Sequence, residues 1–352
     1  PWDKFIPLTE DEKAKIDEIV HYWKGKSIYE RWQTVTPEIA RRLNHIIGVG
    51  IAHGDNNMFN GHVCPDYAKV LNKGINGIKK QIEEELGKLD FTEAADYEKW
   101  QYLTAINITL DAVINFAKRY AKLAESLAEK ETDNKRKAEL KRIAETCNWV
   151  PANPARNFYE AVQATWFVHI VVMNEGWCYG LSFSRPDQYL YPFYKKDIEE
   201  GRISREEARE LIALLLIKMN DAVIIQSSDI VRSNTGFPMT ITIVLGGVTK
   251  EGKNAVNELS HLFLDAELDV RLSLEDVVIR IHKSTPDAFV IKACEVAKAL
   301  RGKLKFLSDD TAIQMLLKDG KPIERARDYI IAGCWEPHAA GYSWDLINGF
   351  YN

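Results

Sequence analysis

The sequence predicts an α/β fold: a helical N-terminal part followed by part of a β/α barrel-like or wound α/β core. Three observations predict it. Apolar residues recur at helical spacing through most of the first half. Short β-branched runs then alternate with helical stretches in the second half. Strand, helix and strand follow one another at the spacing of parallel β/α units.

Thr9, followed by Glu10, Asp11 and Glu12, reads as an N-cap with first-turn acids and opens a helix running toward Trp23. Residues 65–86 set Tyr67, Val70, Leu71, Ile75, Ile78 and Ile82 at helical spacing among lysines and glutamates. Residues 92–127 and 134–147 read as two more long helices, with 129–141 as an exposed connection. Residues 154–173 begin with Pro and Ala and then turn strongly apolar, as a buried helix does. Residues 1–173 thus form a mainly helical portion and 174–352 the α/β barrel portion.

In that second portion, 177–183 is an apolar, glycine-containing run that suits a strand or a loop crossing the core. A helix is expected over 204–220, with its start at Ser204. Thr240 to Leu245 is β-branched and ends at Gly246-Gly247, a strand with a tight exit. Helices are expected over 254–268, 286–300 and 309–317, and strands over 277–282 and 305–307. A last short strand, 329–332, feeds a loop at Cys334.

The chain has 352 residues, 46% hydrophobic and 28% charged, which suits a soluble globular protein. A formal net charge of −5 offers no basic surface to nucleic acid. The longest apolar stretches, near 167–173 and 211–217, are too short to span a bilayer. The charged opening Pro1-Trp2-Asp3-Lys4 is no signal peptide, so a cytoplasmic location without membrane attachment is expected. The five cysteines are odd in number and contain no C-x-x-C pair, which argues against a disulfide framework and against a bound metal. A first residue that is Pro rather than Met, and an end at Gly349-Phe350-Tyr351-Asn352, suggest a piece of a longer protein.

The run Gly333-Cys334-Trp335-Glu336-Pro337 carries the candidate chemistry. Gly333 permits a tight turn, and Pro337 restricts Glu336 to an extended or turn conformation. In an extended run, Cys334 and Glu336 project from one face into one cavity. The local pattern equally suits a buried core thiol beside a surface acid. A nucleophilic cysteine needs a histidine, and nothing marks His338 as its partner.

Five ordered motifs add a resemblance. They are Tyr22-Trp23-Lys24-Gly25-Lys26; Gly61-His62-Val63-Cys64-Pro65-Asp66-Tyr67 with Val70-Leu71; Arg185-Pro186-Asp187-Gln188-Tyr189-Leu190-Tyr191-Pro192; Leu245-Gly246-Gly247 with Asn257-Glu258-Leu259-Ser260; and the Cys334 run itself, with Trp335 in place of the commoner Val. Together they resemble the middle section of the glycyl radical enzymes, the pyruvate formate-lyase-like family. The resemblance implies that Cys334 becomes a thiyl radical that takes a hydrogen atom from the substrate. It implies that Glu336 is the general base or acid beside it, in a cavity shielded from water and oxygen.

The family's radical-bearing R-V-x-G-[FY] loop does not occur in the sequence. On this reading the C-terminal glycyl radical domain is absent and the chain alone is inactive. It binds no cofactor of its own; the glycyl radical sits in the missing C-terminal part, installed by an iron–sulfur activase that uses S-adenosylmethionine. The implied partners are a small-molecule substrate, that activating enzyme, the remainder of the same polypeptide and a second copy in a homodimer.

Departures from the family pattern address the substrate. Tyr179-Gly180 stand where diol dehydratases carry His-Ser, and Leu346 with Ile347 where they carry an acid and a His. Phe237 matches a position at which relatives place an aromatic over the substrate. Tyr179, Phe237, Trp335 and Leu346 would make an apolar, aromatic pocket, with His53 facing the cavity. That pocket suits decarboxylation of an arylacetate such as hydroxyphenylacetate or indoleacetate. The alternatives are a dehydratase or C–N or C–S lyase on a small polar substrate (a diol, choline, hydroxyproline or isethionate), and a non-catalytic fragment retaining the fold.

Overall fold

The structure is a computed structural model that describes residues 8–35, 37–39, 62–176, 180–222, 241–273, 275–333 and 335–339. Its first half is helical: α1 (Glu10–Trp23), α2 (Ile28–Val35), α3 (Tyr67–Leu86), α4 (Ala94–Lys130), α5 (Asn134–Trp149) and α6 (Phe158–Gly176). Thr9 caps α1 in a capping box with Glu12, as its sequence suggests. α4 and α5 form a long antiparallel pair whose contact face includes Ala117, Ala121, Cys147 and Phe167 of α6. Two short helices, α7 (Pro186–Tyr189) and α8 (Tyr191–Glu199), and then α9 (Arg205–Asn220) lead into the sheet. Ser204 and Glu207 form the box that opens α9.

Three strands, β1 (Ile241–Gly246), β2 (Glu275–Ile281) and β3 (Leu304–Ser308), pair in parallel in the order β1-β2-β3. The crossovers are α10 (Glu258–Val270) and α11 (Asp287–Ala299). Residues 181–184 lie along the other edge of β1, with Ser184 turning out of the run at φ +62°. Phe183 N donates to Thr242 O, Thr242 N to Leu181 O and Val244 N to Ser184 O. Of the run 177–183 that suited either a strand or a loop, residues 181–183 thus partner β1, and 177–179 lie outside the described residues.

β1 is buried along its whole length, as a parallel strand covered on both faces should be. Period-two alternation divides its side chains. Ile241, Ile243 and Leu245, with Val277 and Ile279 of β2, join the large core beneath α10 and α11. Val244 and Val278 face the opposite way and pack on Ala312 and Leu316 of α12 (Asp309–Lys318) and on Tyr329, Ile330 and Ile331.

After α13 (Ile323–Arg327), β4 (Tyr329–Ala332) covers this second face. The short strand expected over 329–332 is present. β4 pairs antiparallel with β5 (Glu336–Ala339) in a separate hairpin, with Ala332 opposite Glu336. Pro337 and Ala339 gave β5 little strand character in the sequence.

A buried pair ties the sheet to the hairpin. Arg280 Nε and Nη2 donate to the two carboxylate oxygens of Asp309 at 2.8 and 3.0 Å. Arg280 Nη1 donates to Tyr329 O, and the Tyr329 hydroxyl donates to Asp309. Both Arg280 and Asp309 have fully buried side chains.

A second buried cluster lies at the opening of β2 and β3. Lys303 Nζ donates to Glu267 at 2.6 Å, Glu275 at 2.7 Å and Leu272 O at 2.9 Å. Burial, opposed by the Lys303 ammonium and aided by the Glu275 charge, pushes the Glu267 carboxyl up to about 7. A carboxyl raised in the folded state binds a proton that the unfolded chain has released, so its contribution to stability is complete below about pH 4.5 and is lost as pH rises through about 7. The loss amounts to at most about 3 kcal/mol. We expect the wild-type melting temperature to fall across this window, and Glu267→Gln, which mimics the protonated acid, to flatten the fall. An unchanged pH slope in that variant would refute the assignment.

Candidate active site

The turn between β4 and β5 carries Gly333 and Trp335, and both sit in turn conformation. Gly333 has φ +60°, and Glu336 stands on β5 opposite Ala332, across the hairpin; the stretch expected to be extended from Cys334 to Glu336 begins at a residue outside the described ones. Cys334 lies between them but outside the described residues, as do Tyr179, Phe237, Leu346 and His53. Among the sequence-predicted site residues, Glu336 and Trp335 are therefore the ones the structure describes.

The turn rests on His62. Its ring occupies the gap between two glycines whose backbones touch, with Gly333 N donating to Gly180 O at 3.1 Å. A Cβ on Gly333 would lie 1.9 Å from His62 Cε1, and one on Gly180 would lie 2.3 Å from His62 Cδ2. Both positions need φ > 0 and a bare backbone, which glycine supplies. His62 is 6% exposed, and its Nδ1 stands 3.5 Å from Glu336 Oε1. The other carboxylate oxygen, Oε2, accepts the Trp335 backbone N–H at 2.8 Å. At 3.5 Å the imidazole and the carboxylate lie just beyond hydrogen-bond reach, and a small shift of either side chain would bring them within it.

Trp335 is 48% exposed, and the Lys305 ammonium of β3 stands 5.4 Å from its ring centroid. His62 was missed as a site residue because Gly61-His62 served as a family marker without an assigned role. Its signal was available in the motif, but not its distance from Glu336.

Other motifs of the sequence are joined by buried hydrogen bonds. Asp187 Oδ2 accepts Gly246 N at 2.8 Å and the Ser260 hydroxyl at 2.6 Å, and the Asn257 side chain donates to Asp187 O. Arg185 donates to Gly246 O and Val248 O and pairs with Asp328 at 2.8 Å. The Arg185, Gly246 and Asn257 motifs thus meet in one knot at the exit of β1. Tyr67 is paired through its hydroxyl with His169 Nδ1 at 2.9 Å. Burial pushes His169 down to about 3, which leaves it neutral. Among the described residues, no group of three or more His, Cys, Asp or Glu side chains is placed to hold a metal ion.

A sequence model described as pyruvate formate lyase-like matches residues 2–352. The chain belongs to this family. It is 37% identical over 339 residues to an isethionate sulfite-lyase of Oleidesulfovibrio alaskensis, covering 94% of this chain and 41% of that protein. Its fold superposes with a TM-score of 0.89 on a structure described under 1,2-propanediol dehydration in Roseburia inulinivorans, at 34% identity, over 95% of this chain and 40% of that one. A glycyl radical enzyme from Archaeoglobus fulgidus gives a TM-score of 0.85 at 34% identity, over 96% of this chain and 43% of that one. These matches bear out the glycyl radical enzyme resemblance and the α/β fold.

An indoleacetate decarboxylase of Tractidigestivibacter scatoligenes is similar at 28% identity, over the full chain and 41% of that protein. The arylacetate expectation therefore has weaker backing than its small-polar-substrate alternative. The chain spans about two fifths of the length of these relatives. No helix among the described residues is long and apolar enough to cross a membrane.

Proposed function

We propose that this chain carries the hydrogen-abstracting thiol and the proton-handling groups of a glycyl radical lyase that breaks a carbon–oxygen or carbon–sulfur bond in a small polar substrate. The observation that carries the reading is the His62–Glu336 pair at the turn that bears Cys334. The described residues put a buried imidazole and a carboxylate beside that turn, and Trp335 in an exposed position against Lys305. Polar groups of this kind suit a hydroxyl- or sulfonate-bearing substrate better than an aryl ring.

In this reading the Cys334 sulfur takes a hydrogen atom from the carbon next to the leaving group and later returns it. Glu336 removes or delivers the proton that weakens the bond to the leaving group, and His62 holds the carboxylate and shares that proton. The glycyl radical, installed by an S-adenosylmethionine iron–sulfur activase, would supply the oxidising equivalent that turns the thiol into a thiyl. The tight backbone contact of Gly180 with Gly333 and the His62 ring between them exclude water from the base of the turn.

The test is anaerobic assay of the activated complete gene product with isethionate, 1,2-propanediol, hydroxyphenylacetate and indoleacetate. Turnover of a polar substrate is expected, abolished in Cys334→Ala and reduced by about 10²-fold or more in Glu336→Gln. Turnover confined to the arylacetates would overturn the substrate class, and full activity of Cys334→Ala would overturn the mechanism.

A further inference from the structure

β4 is held against the sheet in an unusual way. Ile330 and Ala332 face His338 and Glu336 of β5. On the other edge, alternate carbonyls find side chains in place of a strand. Tyr329 O accepts Arg280 Nη1, Ile331 O accepts the Ser182 hydroxyl at 2.7 Å, and Gly333 O accepts the Thr242 hydroxyl at 2.9 Å.

Ser182 and Thr242 are fully buried and bridge one another across the 181–184 run and β1. A position inside a wholly buried strand ordinarily takes Val or Ile, because a buried hydroxyl is costly unless it is bonded. Here two hydroxyls stand on the one face that meets the hairpin. Each is itself locked. The Ser182 hydroxyl also accepts Ser184 N, and the backbone of Thr242 is bonded to Leu181 O and Phe183 N. Thr242 is stiff at χ1 as well.

We propose that Ser182 and Thr242 are positioning residues whose hydroxyls set how deep the turn bearing Cys334 sits against the sheet. The proposal rests on the role given above to Cys334. Both hydroxyls act through the backbone carbonyls of Ile331 and Gly333.

Thr242→Val keeps shape and burial and removes the anchor, whereas Thr242→Ser keeps the hydroxyl. In the activated complete gene product, Thr242→Val should lower kcat by roughly ten- to a hundred-fold while KM moves less than about twofold, as expected for a displacement of about 1 Å. Thr242→Ser should stay near wild type.

A second readout needs no turnover: the rate of Cys334 alkylation by iodoacetamide, measured by peptide mass against the exposed Cys294 in the same sample. Thr242→Val should change this ratio by about fivefold or more, and Thr242→Ser by less than about twofold, since the thiol's surroundings follow its position. A wild-type ratio in Thr242→Val overturns the proposal, whatever the activity. If wild type turns over none of the substrates but the ratio shifts as expected, the lyase reading falls and the positioning role stands. Should Thr242→Val fail to fold, Ser182→Ala removes the neighbouring anchor, and a wild-type ratio there overturns the proposal equally.

Discussion

Gly333→Ala should be among the most destabilising single-methyl substitutions in this protein. Two costs combine. A left-handed backbone costs an L-residue about 1–2 kcal/mol. The added Cβ also falls 1.9 Å from His62 Cε1 and 2.0 Å from Nδ1, so the buried ring must leave its slot. A total loss of about 3–5 kcal/mol is expected, typical of overpacking joined to backbone strain. Gly320 isolates the backbone part: its φ is +79°, yet no atom lies within 4 Å of the would-be Cβ. Gly320→Ala should therefore cost about 1 kcal/mol. Denaturant melts of the two variants give the difference directly. Combining Gly333→Ala with His62→Ala should recover part of the loss by emptying the slot. Equal midpoints for Gly333→Ala and Gly320→Ala would refute the wedge.

The second large effect is expected at Asp309. Its removal by Asp309→Ala leaves the Arg280 guanidinium charged and buried, and it also strands the Tyr329 hydroxyl. Breaking such a pair from one side costs about 3–5 kcal/mol. The exposed Arg209–Asp269 pair is the control: Asp269→Ala should cost less than about 1 kcal/mol. Replacing Arg280 and Asp309 together by apolar residues should not restore stability. Arg280 also serves the carbonyls of Tyr329 and Arg327, and these would lose their donor. Urea midpoints of the three variants test the ranking, and an Asp309→Ala midpoint as high as that of Asp269→Ala would refute it.

Much of the framework was legible because it is local. The acids after Thr9 and Ser204 are capping boxes, and the period of apolar residues located α3, α4, α5 and α9 to within a few residues. Thr240 to Leu245 announced β1 because an unbroken β-branched run suits a strand covered on both faces. The hairpin was not legible. Tyr329 to Ala332 reads as a strand, but nothing local says that it leaves the parallel sheet to pair with residues that include Pro337.

The site was half legible. Glu336 is singled out by its motif neighbours, while His62, Ser182 and Thr242 reach the turn through contacts that no spacing rule contains. Thr242 looked like one more β-branched strand former. Its hydroxyl gains a role only when Gly333 arrives on the same face of the sheet.

The anchoring of the turn also bears on how the molecule assembles. The Ser182 hydroxyl and the carbonyl it holds are 149 residues apart, and the Thr242 pair is 91 residues apart. His62 lies further away still in the chain. Contacts of this span carry a larger loop-closure entropy cost than local ones, which must be met before they contribute. The observed position of the turn needs residues 181–184 beside β1 and His62 against both glycines. The anchoring of the turn therefore depends on segments far away in the chain, and a nascent chain that lacks them cannot make these contacts.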